Sequence, residues 1–321
     1  MKDAKIYYSV GALLYCPANH ERIADAVISG KFETPYSLAL CLEDTIRDDR
    51  VRDAECALIR SLAKIRREQE KTGASFYMPK IFIRVRHTAQ IPDLLGRLGN
   101  ARELVCGFIA PKFSMENADA YIEAVRNAET AYGRRFYLMP IFEHPPIIPL
   151  CGRYEILYGL KEKLDTAAPY ILNIRVGGND LCHAFGFRRR AAESIHEIRP
   201  IAAILSDLMT VYGMDYVVSG PVWEYYNGQD WDAGLIRELK DDRLCGFVGK
   251  TVIHPRQIAL VNDACKASKK DLEDADAILN WNKSLKSLVS GSVQKERMNE
   301  YKTHRNWALK TMLLAEIYGV K

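Results

Sequence analysis

Short apolar runs alternate with longer amphipathic stretches along most of the chain. The runs have the length of buried strands, and the stretches between them repeat apolar residues at helical spacing. The pattern predicts eight strands, each followed by a helix, at 12–16, 37–43, 80–85, 103–112, 135–143, 170–178, 214–220 and 244–253. Because parallel neighbours need a crossover connection, strict alternation indicates that these strands are parallel.

Eight such units in about 260 residues favour a closed ring over an open doubly wound sheet. No GxGxxG follows the first strand, which weakens a dinucleotide-binding interpretation. We therefore predict an α/β fold, with a single (β/α)8 TIM barrel over residues 1–268. Residues 269–321 are predicted to form two amphipathic helices that pack on this barrel or on a neighbouring subunit.

The composition is that of a soluble protein with a large core, at 48% hydrophobic and 27% charged residues and a net charge of +4. Basic residues are scattered, so nothing indicates nucleic-acid binding. The exception is 188–190, predicted as a solvated loop or, alternatively, as a contact for a phosphorylated substrate. No run approaches the ~18 apolar residues of a membrane helix. Eight cysteines without a CxxC pair indicate buried free thiols in a reducing compartment, and we expect the cytoplasm.

Candidate chemistry lies where strands end, because β/α barrels build their active sites at the carboxyl ends of the strands. Glu143 and Asp180 follow neighbouring predicted strands, which lie ~4.8 Å apart. Two carboxylates completed by water and substrate oxygens are a usual Mg²⁺ site, with Mn²⁺ as an alternative. The competing interpretation is that Glu143 pairs with Arg84 or Arg175, and that Asp180 caps the following segment.

Cations at the same edge indicate a small anionic substrate. Arg84 presents a fork that suits a carboxylate or enolate oxygen, and a salt bridge to Glu43 or Asp44 is compatible with that role. Lys112 is predicted to be ion-paired or to hold a phosphate, since a Schiff-base lysine would make the carboxylate pair superfluous. The glycine at 178, like its neighbour at 177, allows the backbone to approach a substrate closely.

Several segments, taken in order, match one family. They are LLYCPANHERI, LALCLEDTIRDD, IFIRVR, GFIAPKFSMENADAY, YLMPIFEHP, IRVGGNDLC and GFVGKTVIHPRQIALVNDA. Between about residues 11 and 270 the chain resembles the citrate lyase β-subunit-like lyases and the HpcH/HpaI aldolases. It is similar to a divergent carbon–carbon bond lyase branch encoded with stress or tellurite-resistance genes.

The resemblance implies a Mg²⁺-dependent carbon–carbon bond lyase or aldolase that works through a metal-stabilised enolate. Glu143 and Asp180 would bind the metal, and Arg84 would hold the carboxylate or enolate of a 2-oxo-acid-like or acyl-CoA-like substrate. Glu43 and Asp44 would line the catalytic pocket, and the base would be Glu43 or a metal-bound water. Family members are commonly trimers or hexamers, so a homo-oligomer is expected.

Three features depart from the family pattern, namely Arg86, the Ser219–Gly220–Pro221 segment and residues 183–200. They lie around the predicted mouth and make a CoA thioester substrate uncertain. The alternative function is a catalytically silent barrel that serves as a binding or scaffold subunit. Retention of Arg84, Glu143 and Asp180 argues against it, since a scaffold need not keep convergent charges.

Overall fold

The computed structural model describes residues 4–32, 34–73, 76–282 and 287–321. Its centre is a seven-stranded parallel sheet in the order β6-β5-β4-β3-β2-β1-β7. The strands are β1 (Ala12–Pro17), β2 (Ser37–Cys41), β3 (Lys80–Arg84), β4 (Val105–Ala110), β5 (Tyr137–Phe142), β6 (Arg175–Val176) and β7 (Lys250–Val252). The predicted order and parallel direction are confirmed.

The ring is closed by the backbone of 217–220, which stands in the predicted seventh strand position. It forms single parallel bridges, Ile174 to Val218 on one side and Gly220 to Lys250 on the other. Backbone hydrogen bonds support both, from Ser219 N to Ile174 O at 2.8 Å and from Gly220 N to Gly249 O at 3.0 Å. The regular strand predicted at 214–220 is therefore wrong in detail, and the predicted 170–178 strand is shortened to Arg175–Val176.

Helices follow the strands and cover the outside of the ring. They are α1 (Ala4–Tyr8), α2 (Ile23–Ile28), α3 (Val51–Thr72), α4 (Gln90–Arg97), α5 (Ala118–Tyr132), α6 (Arg153–Asp165), α7 (Gly178–Ala184), α8 (Arg199–Tyr212), α9 (Trp231–Leu244), α10 (Ile258–Cys265), α11 (Lys269–Leu279) and α12 (Arg305–Tyr318). In the described ranges, no helix is both long and apolar enough to span a membrane.

Strand alternation gives the ring two apolar layers, one between sheet and helices and one inside it. The inner layer is formed by Val10, Leu13, Ala39, Phe82, Ile109, Met139, Ile141 and Leu172. Because these side chains fill the lower part of the ring, polar groups can gather only above them, at the carboxyl ends of the strands.

The C-terminal residues differ from the prediction of two helices. Helix α11 ends at Leu279, and an antiparallel hairpin of β8 (Val289–Gly291) and β9 (Met298–Glu300) precedes α12. Part of the predicted helix, at 283–286, lies outside the described residues. Helix α12 packs on α11 and α1, and the Tyr318 hydroxyl donates to the Tyr8 carbonyl at 2.6 Å, so this segment contacts its own barrel.

All eight cysteines are free. Cys16 and Cys41 are buried, as predicted, and Cys106 is half-buried. Cys245 is exposed, because α9 ends one residue before it and the predicted strand begins only at Lys250.

Candidate active site

Polar side chains occupy the layer directly above the apolar interior. Tyr15 lies two residues beyond the inward-facing Leu13, and Arg84 lies two residues beyond Phe82. Glu143 follows β5 two residues after Ile141. Since side chains of a strand alternate between faces, each of these residues continues the inward-facing row of its strand.

Arg84 connects the carboxylates of two strand ends. Its Nη2 lies 2.7 Å from Glu43 Oε2, 3.1 Å from Asp44 Oδ2 and 3.2 Å from Glu143 Oε1. The guanidinium is buried, and its Nε has no hydrogen-bond partner within the described part of the chain. Arg84 thus links the three carboxylates through Nη2, while its Nε forms no hydrogen bond with the described residues.

Lys112 contributes both its backbone and its side chain. It has a left-handed backbone, with φ of 47°, and its N–H donates to Glu143 Oε1 at 3.0 Å. Its Nζ lies 2.8 Å from Glu43 Oε1 and 3.4 Å from Asp44 Oδ1. The structure therefore shows Lys112 ion-paired, one of the two roles expected for it.

Glu143 is buried, with 4% of its surface exposed, and the described residues donate hydrogen bonds to only one of its oxygens. Oε1 accepts the bonds from Arg84 and Lys112, whereas Oε2 accepts none from the described residues. Burial raises the pKa of Glu143 to about 7; Arg84 opposes this rise and the Asp180 carboxylate adds to it. An Oε2 without a donor, beside a second acid, suits a cation.

Asp180 lies in the first turn of α7 and is half-buried. No residue in the described ranges forms a hydrogen bond or an ion pair with the Asp180 side chain. The alternative prediction, that Asp180 caps the following segment, is not met, because no side chain caps α7. Gly178 packs against Ile195 and Pro221, which a Cβ would meet at 2.6 and 2.7 Å. It is Gly177 that approaches the site, since a Cβ there would lie 2.2 Å from Glu143 Oε2.

The residues present fit Mg²⁺, which keeps water and substrate ligands, better than a metal whose ligands all come from the protein. Across the described residues, no group of three or more His, Cys, Asp or Glu side chains is placed to hold an ion. Glu143 and Asp180 would supply two hard oxygen ligands and leave the other positions to water and substrate. Mg²⁺ commonly binds in this way, whereas structural zinc requires a closed set of protein ligands.

Glu43 and Asp44 are adjacent but differ in acidity. Burial and the hydrogen bond with Asp44 raise the pKa of Glu43, although Arg84 and Lys112 oppose the rise. Burial also acts on Asp44, but its bond with Glu43 and the charges of Arg84 and Lys112 leave its pKa below the ordinary value. Glu43 is thus the more basic carboxylate of the two.

Two residues of this layer have no role in the sequence prediction. The sequence predicts Arg175 only as an alternative partner for Glu143, and it predicts no role for Tyr15. Arg175 is buried, and its Nη2 donates to Thr251 Oγ1 at 2.6 Å. The inward alternation of β1 from Leu13 to Tyr15 was the available signal for Tyr15, whereas a fully buried arginine has no signature in local sequence.

The three family departures have structural roles. Arg86 braces the loop that carries Glu43, donating from Nε to Leu42 O at 2.7 Å. The Ser219 hydroxyl donates to Val248 O at 2.8 Å. Arg189 was predicted in a solvated loop, but it is buried against Glu238 at 3.2 Å.

A cavity of about 390 Å³ opens beside the polar layer, between the loops after β1 and β7. Its lining carries two cations, Arg22 and Lys31, two histidines, His20 and His254, and no carboxylate. Apolar side chains, among them Ile23 and Phe32, complete the wall. The cavity therefore suits an anionic molecule with an apolar part.

Solved structures with similar folds include citrate lyase β-subunit-like proteins. CitE from Mycobacterium tuberculosis, in complex with magnesium, acetoacetate and coenzyme A, is 18% identical with a TM-score of 0.61, and the match covers 97% of this chain and 99% of that one. A citrate lyase from Burkholderia xenovorans reaches a TM-score of 0.72 at 13% identity, covering 97% and 93%.

Among curated proteins, a (3S)-malyl-CoA thioesterase from Cereibacter sphaeroides is 29% identical over 136 residues, which are 41% of this chain. The chain spans only 44% of that relative's length.

A closed parallel β/α ring with acids and an arginine at its carboxyl edge defines a TIM-barrel enzyme. Residues 4–320 match the family model described as C-C_Bond_Lyase of the TIM-Barrel fold. The chain belongs to this family of carbon–carbon bond lyases, as its sequence resemblance predicted.

Proposed function

We propose that the protein is a Mg²⁺-dependent lyase or aldolase that acts on an anionic 2-oxo-acid-like or acyl-CoA-like substrate. The observation that carries the proposal is a second carboxylate, Asp180, near enough to Glu143 to raise its pKa, with the guanidinium of Arg84 alongside. Neither Glu143 Oε2 nor the Asp180 side chain has a donor among the described residues. Mn²⁺ is an alternative ion at the same carboxylates.

Each residue has a distinct task in this proposal. Glu143 and Asp180 hold the ion, which supplies Lewis-acid stabilisation of the enolate charge. Arg84 binds a carboxylate or enolate oxygen through its guanidinium while Glu43 and Asp44 keep it in place. Glu43, with its raised pKa, takes the proton of the departing hydroxyl group, directly or through a water.

The second half of the substrate is proposed to occupy the 390 Å³ cavity. Its basic residues suit an anionic leaving partner, and CoA bound to the CitE neighbour supports a thioester as one such partner. We also propose a cytoplasmic homo-oligomer, as a trimer or hexamer, on the basis of the family resemblance.

The test is calorimetric titration of oxaloacetate and pyruvate with and without Mg²⁺. Binding should require the metal in the wild type and be lost in Arg84→Leu, while the exposed-arginine control Arg50→Ala binds normally. Binding that is independent of Mg²⁺ would refute the proposal. Saturable Mg²⁺ binding without affinity for any oxo acid would favour a binding or scaffold role instead.

A further inference from the structure

Tyr15 lies at the junction of the polar layer and the cavity. Its ring centroid is 5.9 Å from the guanidinium carbon of Arg84, and the residue also lines the 390 Å³ cavity. The side chain is half-buried. A group in this position can contact a molecule held by Arg84 and the cavity together.

Near Tyr15 lies a buried cation, Arg175, for which the described part of the chain provides no ion-pair partner. Arg175 is 2% exposed, and its hydrogen-bond partners among the described residues are neutral: Asn173 Oδ1 at 3.3 Å and Thr251 Oγ1 at 2.6 Å. The Tyr15 hydroxyl also lies near it. Its Nε has no partner within the described residues. A buried charge that is not paired is costly, so its retention indicates a role other than stability.

Arg175 lies close enough to the Tyr15 hydroxyl for each to affect the other's ionisation, and a hydrogen bond between them can run in only one direction. A guanidinium has donors and no acceptor, so the phenol oxygen must accept. No described residue accepts a hydrogen bond from Tyr15, which leaves its O–H available to a bound molecule. Burial raises the pKa of Tyr15, although Arg175 and Arg84 oppose the rise, so the phenol keeps its proton at neutral pH.

We propose that Tyr15 is the proton donor of the site and that Arg175 is its positioning residue. The inference rests on the proposed function. When the carbon–carbon bond breaks, its electron pair forms the enolate. The Tyr15 O–H bond then breaks, and its proton goes to the enolate carbon. The resulting phenolate is stabilised by Arg175 and Arg84. The proton taken from the substrate hydroxyl returns to Tyr15 through water, so each turnover balances.

The test follows exchange of the pyruvate methyl hydrogens with deuterium oxide by NMR, at saturating Mg²⁺ and pyruvate. General acid–base groups contribute roughly 10²–10⁴-fold, so Tyr15→Phe should slow exchange by that order. The ring and its contact with Arg84 remain, so the dissociation constants of Mg²⁺ and pyruvate should stay unchanged. Tyr7→Phe is the matched control, because that hydroxyl donates to Pro169 O, at 3.2 Å, at the other end of the barrel.

Arg175→Met tests the positioning role, because it removes the charge while keeping an apolar side chain. It should lower the saturated exchange rate and leave the pyruvate dissociation constant unchanged, whereas a merely structural loss would affect both. If Tyr15→Phe exchanges the methyl hydrogens at the wild-type rate, the role of Tyr15 is refuted, but the proposed function is not. Wild-type protein that binds Mg²⁺ and pyruvate but exchanges nothing would also refute the role of Tyr15. Failure of the wild type to bind either would overturn the proposed function itself.

Discussion

Gly177 lies so close to Glu143 that one added methyl group should disturb the candidate metal site. A Cβ at Gly177 would lie 2.2 Å from Glu143 Oε2 and 2.4 Å from Glu143 Cβ. The backbone φ of Gly177 is −85°, which any residue adopts, so the effect of Gly177→Ala is purely steric.

The size of the effect follows from these distances. Ordinary contact begins near 3.4 Å, so the two Cβ atoms must separate by about 1 Å. The Glu143 Cβ is fixed to the backbone just after β5, so the strand end must move with it. Overpacking of this kind costs about 1–3 kcal/mol of unfolding free energy. Displacing one of the two protein ligands should weaken Mg²⁺ binding at least tenfold, which is about 1.4 kcal/mol of binding free energy.

Differential scanning calorimetry and Mg²⁺ titration measure the two effects separately. Gly96→Ala is the control, since a Cβ there meets nothing within 4 Å and the residue lies in α4. We expect a lower Tm and weaker Mg²⁺ binding for Gly177→Ala only. A lower Tm with wild-type Mg²⁺ affinity would refute the assignment of Glu143 as a ligand.

Two further substitutions test other parts of the account. Arg84→Lys should weaken the binding of oxaloacetate by about 10–100-fold, since a charged hydrogen bond contributes about 1.5–3 kcal/mol. An unchanged affinity in calorimetry would contradict this prediction. Burial opposes ionisation of Asp242, but Lys250 and His196 lower its pKa below the ordinary value. Its stabilising contribution is therefore present above the unfolded-state pKa of about 4 and is lost as pH falls through the lower folded-state pKa. The free energy of unfolding of Asp242→Asn, measured with urea, should depend less on pH in this acidic range than that of the wild type. An equal dependence would contradict a lowered pKa for Asp242.

The site acids on β2 and β5 could be predicted because a single rule governs them. Parallel strands end at one edge, so the last residue of KIFIR and the residues just after SLALC and YLMPIF must converge. The contacts of Arg84 with Glu43 and Glu143 follow from that convergence. The local sequence does not determine which carboxylate oxygen stays without a donor, because that depends on Lys112 and its left-handed backbone.

Features that depend on long-range packing could not be predicted. Arg188 and Arg190 are exposed, as predicted, but Arg189 between them is buried against Glu238, which is distant in sequence. The backbone at 217–220 is extended but forms only single bridges, and an apolar run does not distinguish this from a regular strand. The hairpin at 289–300, in which Gly291 pairs with Met298, also stands where the prediction had only helices.

The central claim is that Glu143 and Asp180 share one divalent ion. Isothermal titration of Mg²⁺ into the wild type, Glu143→Ala and Asp180→Ala tests it directly, with Glu68→Ala on the outside of α3 as the carboxylate control. The account predicts one Mg²⁺ site in the wild type and in the control, and none in either site variant. Mg²⁺ binding that is unchanged in both site variants would contradict it.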